Sequence, residues 1–194
     1  VTDEVYEHIV YAPWEHIYFA SLPGMWERTI SCSSLSKTYS ITGWRLGYII
    51  APEAVTERAK KVHDFLTVGA AAPLQEAVVP GLHFDQRYYN ELLALYTHKR
   101  DLLLQGLDEI GIEHNVPQGA YYVLLDISRY GYQSDLEFCE VLARDVGVGA
   151  VPGSSFFHEP VNHLIRLHFA KKDETLQAAL ERFRHIDEKI KPRK

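Results

Sequence analysis

The sequence predicts an α/β fold, and three observations carry that reading. Residues 28–32 and 44–51 read as strands on either side of a hydroxyl-rich connection, and residues 52–65 follow as a helix. This strand–loop–strand–helix order is that of an α/β unit. Residues 85–110 form the longest helical pattern, with Leu92, Leu95, Tyr96, Leu102, Leu103, Leu107 and Ile110 on an apolar face and Gly111 placed to end it. Beyond residue 112 short strands and helices make a smaller α+β unit, with no internal repeat or low-complexity tract.

Taken in order, residues 1–11 offer a short strand end followed by Asp3, Glu4, Tyr6 and His8. Residues 13–27 are loop-like, broken by Pro13, Pro23 and Gly24, and their aromatics Trp14, Tyr18, Phe19 and Trp26 suggest a packed loop. Residues 28–32 read as a buried strand leading into a loop that holds Lys37. In the next strand Arg45 stands near the start. Pro52 suits a first helical turn, and Val55, Ala59, Val62 and Phe65 recur at helical spacing. An Ala-rich stretch at 70–80 predicts a short helix after Pro73.

The turn Pro117-Gln118-Gly119 precedes a strand at 121–127. Ser134 and Glu137 form a capping-box pattern for a helix ending near Gly147. Residues 148–151 and 163–170 read as strands. Asp173 is placed to cap a final helix with Leu176, Ala179, Leu180, Phe183, Ile186 and Ile190 on its apolar face.

Composition bounds the function. At 194 residues the chain is one large domain or two small ones. A net charge of −6 argues against a nucleic-acid or anionic-membrane binder. No apolar run approaches a membrane span and no signal-peptide pattern opens the chain. Cys32 and Cys139 fit no C-x-x-C spacing, which points to a reducing, cytoplasmic setting. None of the histidines pairs as H-x-x-x-H, and His163 and His168 would face opposite sides of one strand, so no metal site is expected. The only methionine is Met25, and the first residues read as though the chain leaves a strand at once. The expectation is the C-terminal part of a longer protein.

The chemistry concentrates in residues 31–50, SCSSLSKTYSITGWRLGYII. Lys37 follows a run of hydroxyls, and Gly43 and Arg45 come after it. An amine can form a Schiff base with an aldehyde, and hydroxyls with an arginine can hold a phosphate. Aldehyde and phosphate on one small molecule describe pyridoxal phosphate. Two other readings compete: a solvated surface lysine, and a nucleotide phosphate loop ending at Lys37-Thr38. The loop reading is poor, because Ser31 and Ser36 stand where glycines must let backbone amides close around phosphate. In L-I-R-L-H-F-A, residues 164–170, Arg166 sits between apolar neighbours. It is either an outward-facing arginine on a half-exposed sheet or a guanidinium fork for a carboxylate.

The pattern of Ser34, Ser36, Lys37 and Tyr39, followed by Gly43, Trp44, Arg45 and Gly47, resembles the cofactor-lysine signature of the class I and II aminotransferases, fold type I pyridoxal-phosphate enzymes. The resemblance continues in family order through D-E-x-Y at residue 3, P-Q-G-A-Y-Y, V-P-G-S-S-F and I-R-L-H-F-A. The run L-P-G-M-W-E-R-T-I, residues 22–30, is similar to the kynurenine and glutamine aminotransferase branch. The resemblance implies the C-terminal half of such an enzyme. Residues 1–84 would end the large cofactor domain, 85–110 would link the domains, and 111–194 would form the complete small domain.

By the same resemblance Lys37 carries the cofactor and moves the proton at the substrate α-carbon, as base and acid. Asp3 partners the pyridine nitrogen, Tyr6 the 3-oxygen, and Ser34, Ser36 and Arg45 the phosphate. Glu4 is structural, and Arg166 holds the α-carboxylate. The resemblance further implies amino acid and 2-oxo acid substrates, a homodimer, and residues supplied by an N-terminal half, so this chain alone is expected to be inactive and to bind cofactor weakly. Two relatives share the scaffold: C–S lyases, which often carry the same lysine motif, and cofactor-responsive transcriptional regulators. The acidic balance gives the regulator no support. Aromatic, kynurenine or glutamine-type donors are the expected substrates, with aspartate, alanine and diaminopimelate types open.

Overall fold

The computed structural model describes residues 1–193, which divide after Leu93 into two compact units. In the first unit β1 (Thr2–Asp3) runs parallel to β2 (Ser31–Ser34), and β2 pairs antiparallel with β3 (Gly47–Ile50), giving the order β1-β2-β3. Gly47 lies opposite Ser34. A Cβ there would stand 2.8 Å from the Ser33 carbonyl oxygen, so only glycine lets β3 approach β2 this closely. β2 passes straight into α1 (Leu35–Thr38), one helical turn. Two longer helices follow, α2 (Glu53–Thr67) and α3 (Ala72–Leu82), and α4 (Gln86–Ile110) begins in this unit and continues across the division.

The structure shifts several expected elements here. Lys37 is in a helical turn and not a loop, because the Ser34 side chain caps it by accepting from the Ser36 amide at 3.2 Å. The strand expected at 28–32 is only half-buried and starts at Ser31, since Trp26–Arg28 forms a 3-10 turn that Thr29 closes. Trp44 ends another 3-10 turn (Thr42–Trp44), and Arg45 adopts a left-handed conformation (φ 57°, ψ 44°), so β3 cannot begin before Gly47. Pro52 sits one residue before α2, and α3 starts at Ala72 and runs through Pro80. The aromatics of residues 13–27 are exposed, not packed.

In the second unit β4 (Tyr122–Asp126), β5 (Val151–Pro152) and β6 (Leu164–His168) form an antiparallel sheet ordered β4-β6-β5. Ile165 and Leu167 are buried, while Leu164, Arg166 and His168 take the other face, the period-2 alternation of a sheet covered on one side. The core comprises Leu103, Leu107, Val123, Leu125, Phe138, Leu142, Ile165, Phe169, Phe183 and Ile190. Each such side chain contributes about 1.5–3 kcal/mol by leaving water. Gly106 on α4 makes room for Leu180, whose side chain a Cβ would meet at 2.3 Å.

Local chemistry again moves boundaries. Ser134 accepts from the Glu137 amide and opens α5 (Asp135–Val141), but residues Leu142–Val146 continue as a π-turn before Gly147 ends it at φ 80°. The strand expected at 148–151 shrinks to Val151–Pro152, whose proline lacks the donor of a longer ladder. Lys172, not Asp173, caps α6 (Asp173–Phe183), because the Asp173 carboxylate accepts from His98 and Lys99. A turn at residues 184–185 separates α6 from α7 (Ile186–Lys189). No helix among the described residues is long and apolar enough to cross a membrane.

Candidate active site

β1 and β2 are parallel, and their C-terminal ends bring the expected residues together. Asp3 ends β1 opposite Cys32, and the Glu4 amide donates to the Cys32 carbonyl at 2.8 Å, extending the pairing by one residue. The end of a parallel strand pair is where open α/β sheets hold their ligands. There an open cavity of ≈ 510 Å³ is lined by Asp3, Cys32, Ser34, Ser36, Lys37 and Arg45, with Val1, Thr2, Val5 and Ser33 completing its wall. Five of the expected site residues therefore converge. Tyr6 lies in the turn after β1, outside the cavity lining. Arg166 belongs to the second unit.

The lysine turn is fixed from several sides. Ser34 Oγ donates to the Leu46 carbonyl at 2.9 Å and is hydrogen-bonded to Ser36 Oγ at 2.7 Å. Tyr88 donates to the Thr38 carbonyl at 2.7 Å, and the Ile41 amide to the Ser36 carbonyl at 3.0 Å. Tyr39, next to the turn, stacks near Tyr88 and shares a hydrogen bond with Tyr89 at 3.1 Å. Burial first, then this bond, pushes the Tyr39 phenol pKa well up. Arg45 stays exposed, with Nη1 donating to the Thr42 carbonyl at 2.9 Å and no carboxylate partner among the described residues. A non-glycine residue in the left-handed region costs about 1–2 kcal/mol, which the surrounding turn must offset.

Beneath β1 lies a second polar network. Glu4, 6 % exposed, accepts from Thr2 Oγ1 at 2.7 Å and faces His16 Nε2 at 3.0 Å. Burial raises its pKa, but the bonds from Thr2, His16 and Ser31 outweigh that and hold the carboxyl below its ordinary value. Glu7 accepts from Ser33 at 3.1 Å and from Tyr48 at 3.2 Å, tying the Tyr6 turn to β2 and β3. Ligand atoms of Glu4, Glu7 and His16 lie within 4.8 Å of one another, but hydrogen bonds already engage them.

In the second unit Arg166 is half-buried on the face of β6 away from the core. Its Cζ lies 3.6 Å from the Phe156 ring centre and 4.0 Å from that of Tyr122. Tyr122 is diagonal to Arg166 across β4 and β6, on the same face. Two rings cover the guanidinium, and no carboxylate or carbonyl among the described residues accepts from it. Its planar fork can therefore bind a carboxylate bidentately.

The family model for aminotransferase class I and II matches residues 1–183. The chain belongs to the class I and II aminotransferases. Methionine aminotransferase of Escherichia coli K12 is 40% identical over 187 residues, a match covering 96% of this chain and 48% of that protein. Kynurenine–oxoglutarate transaminase of Dictyostelium discoideum is 35% identical over 201 residues, covering 92% and 46%. The solved N-succinyldiaminopimelate aminotransferase of Mycobacterium tuberculosis superposes with a TM-score of 0.88 at 36% identity, covering 94% of this chain and 48% of that one. The chain thus spans about half the length of the curated relatives it matches.

Members of this aminotransferase family depend on pyridoxal phosphate. The donor set here suits that molecule: an amine, a guanidinium without a carboxylate partner, hydroxyls and a carboxylate around one cavity. Sequence reasoning missed Cys32, which it used only to argue redox setting. It also quoted the motifs containing Tyr122 and Phe156 without giving those rings a role, although an aromatic two positions from an arginine's partner across a sheet is a readable signal.

Proposed function

We propose that these residues serve a pyridoxal-phosphate-dependent aminotransferase, which moves an amino group from an L-amino acid to a 2-oxo acid. The observation that carries this reading is the convergence of Asp3, Ser34, Ser36, Lys37 and Arg45 around one cavity at the ends of β1 and β2. When bound, the cofactor supplies an aldehyde for covalent attachment and a ring that withdraws electrons from the substrate α-carbon.

The protein's part follows from the side chains. Lys37 Nζ would anchor the cofactor's aldehyde covalently and, as a free amine, would carry the proton between the substrate α-carbon and the cofactor's aldehyde carbon, as base and then acid. Asp3 keeps a proton on the pyridine nitrogen. Arg45 and Ser34 neutralise and orient the phosphate, with Ser36 in support. For Ser34 to donate there, its hydroxyl must turn from the Leu46 carbonyl. Tyr6 partners the ring's 3-oxygen, and Arg166 fixes the α-carboxylate so that the reacting C–H bond is aligned.

In this reading residues 1–84 belong to a large cofactor domain, 85–110 to the linking helix and 111–194 to a small domain. The protein works in the cytoplasm as a homodimer. Its donor is a neutral, aromatic or kynurenine-type amino acid, in keeping with the methionine and kynurenine aminotransferases among its relatives. The test is borohydride reduction with pyridoxal phosphate followed by peptide mapping, on this chain and on the full-length gene product. The expected result is modification concentrated on Lys37 and lost in Arg45→Ala. No Lys37 adduct in the full-length product would overturn the reading.

A further inference from the structure

We propose that Asp135 is a positioning residue for Arg166, acting through the turn that carries Phe156. The inference rests on the reading that Arg166 takes the substrate carboxylate. Phe156 is 48 % exposed, an apolar ring that core packing does not account for, yet it lies closer to the guanidinium than Tyr122 does. It ends the 3-10 turn Gly153–Phe156, and two contacts fix where that turn sits.

The first contact is steric. A Cβ on Gly153 would stand 2.5 Å from the Leu164 carbonyl oxygen, so the turn lies directly against β6, two residues before Arg166. The second is electrostatic. Asp135, 2 % exposed, accepts from the Ser154 amide with Oδ2 at 2.7 Å and from Ser154 Oγ with Oδ1 at 2.9 Å. Its Oδ1 also accepts from the Leu136 amide at 2.9 Å. A buried carboxylate is costly unless its acceptor sites are filled. Here two of its three bonds go to one residue of the turn, so the carboxylate orients that turn.

Phe156 follows Ser154 by two residues and lies over the Arg166 guanidinium in the segment after β5, the strand that flanks β6 on the edge away from β4. With both rings in place the guanidinium loses swivel, and its N–H edge is what a carboxylate meets. Asp135 thus reduces the freedom Arg166 must lose when it binds, without touching the ligand itself.

The test uses the full-length protein and two readouts at Arg166: its rate of modification by phenylglyoxal, mapped by mass spectrometry, and the 2-oxoglutarate concentration that protects it. Asp135→Asn and Phe156→Leu are each expected to speed modification and to raise the protecting concentration about tenfold, the size of effect a small misplacement produces. Ser154→Ala removes one of the turn's two bonds and should shift both readouts less, in the same direction, and it serves should Asp135→Asn fail to fold. In Arg166→Lys, adding Asp135→Asn should leave the KM for amino donor unchanged, because the two act in series. Protection in the wild type with no shift in Ser154→Ala or Phe156→Leu would sink the positioning role alone. No protection of Arg166 in the wild type would sink the carboxylate reading beneath it.

Discussion

The two units of this chain are held together differently. The second unit buries a continuous set of large apolar side chains, among them Phe138, Phe169 and Phe183, behind one sheet face and its helices. The first unit buries few: Ile9, Tyr11, Leu46, Val78 and Leu92. It leaves all of β3 exposed, and Phe65 on α2 is 92 % exposed. What orders the first unit around Lys37 is largely polar: the Ser34 cap, Tyr88 on Thr38, and the Glu4 and Glu7 networks. The residues proposed to hold the cofactor thus stand largely on hydrogen-bonded turns, whereas Arg166 stands on a sheet backed by a dense core. The same kind of substitution should therefore have different consequences in the two units.

The largest effect is expected at the proposed cofactor site, where Lys37→Ala should abolish the borohydride-dependent adduct while leaving hydrogen exchange in the second unit unchanged. Next, Phe138→Ala should cost the second unit about 3–5 kcal/mol, the range for a buried aromatic, read by urea unfolding with hydrogen exchange to localise the loss. A comparable loss spread into residues 1–93 would break the contrast drawn here. Arg45→Ala removes charge-assisted bonds worth about 1.5–3 kcal/mol and should weaken pyridoxal phosphate binding roughly 10- to 100-fold by fluorescence titration, with stability little changed.

A smaller effect concerns pH. The folded Glu4 carboxyl lies below its unfolded value of 4.5, so its contribution is complete above that value and is lost as pH falls through the folded pKa. Protection of residues 1–34 against hydrogen exchange, relative to free-peptide rates, should fall as the pH drops below 4.5, and Glu4→Gln should remove that dependence. The smallest effect is Phe65→Ser, expected within about 0.5 kcal/mol because the ring already faces water. A cost of several kcal/mol in the full-length protein would mean that this face is covered there.

How far the sequence could be read follows the same division. α4 was legible from its leucine stripe and from Gly111, which does adopt φ 75°. The strands at 122–126 and 164–168 were legible to within two residues, because alternation over a packed sheet leaves a strong pattern. The helical turn at Lys37 was not, since its cap and its four residues are all hydroxyl, lysine or leucine and carry no periodicity. The aromatics at 14, 18, 19 and 26 suggested burial by composition, and composition does not say whether a surface exists to bury them. At the candidate site the motifs picked out Lys37, Asp3 and Arg45, which the structure places around one cavity, but the rings over Arg166 were hidden. Tyr122 and Phe156 meet it through space from positions 44 and 10 residues away in the chain, and Asp135, 31 residues away, bonds to the turn that carries Phe156.

The unequal burial has a practical optical counterpart. All three tryptophans, Trp14, Trp26 and Trp44, fall in the first unit, and the second has none. Tryptophan emission from this chain therefore reports on the first unit alone, Trp44 standing beside Arg45. The densely packed unit stays dark to that signal, so a melt followed by tryptophan emission records the first unit and leaves the second to another probe.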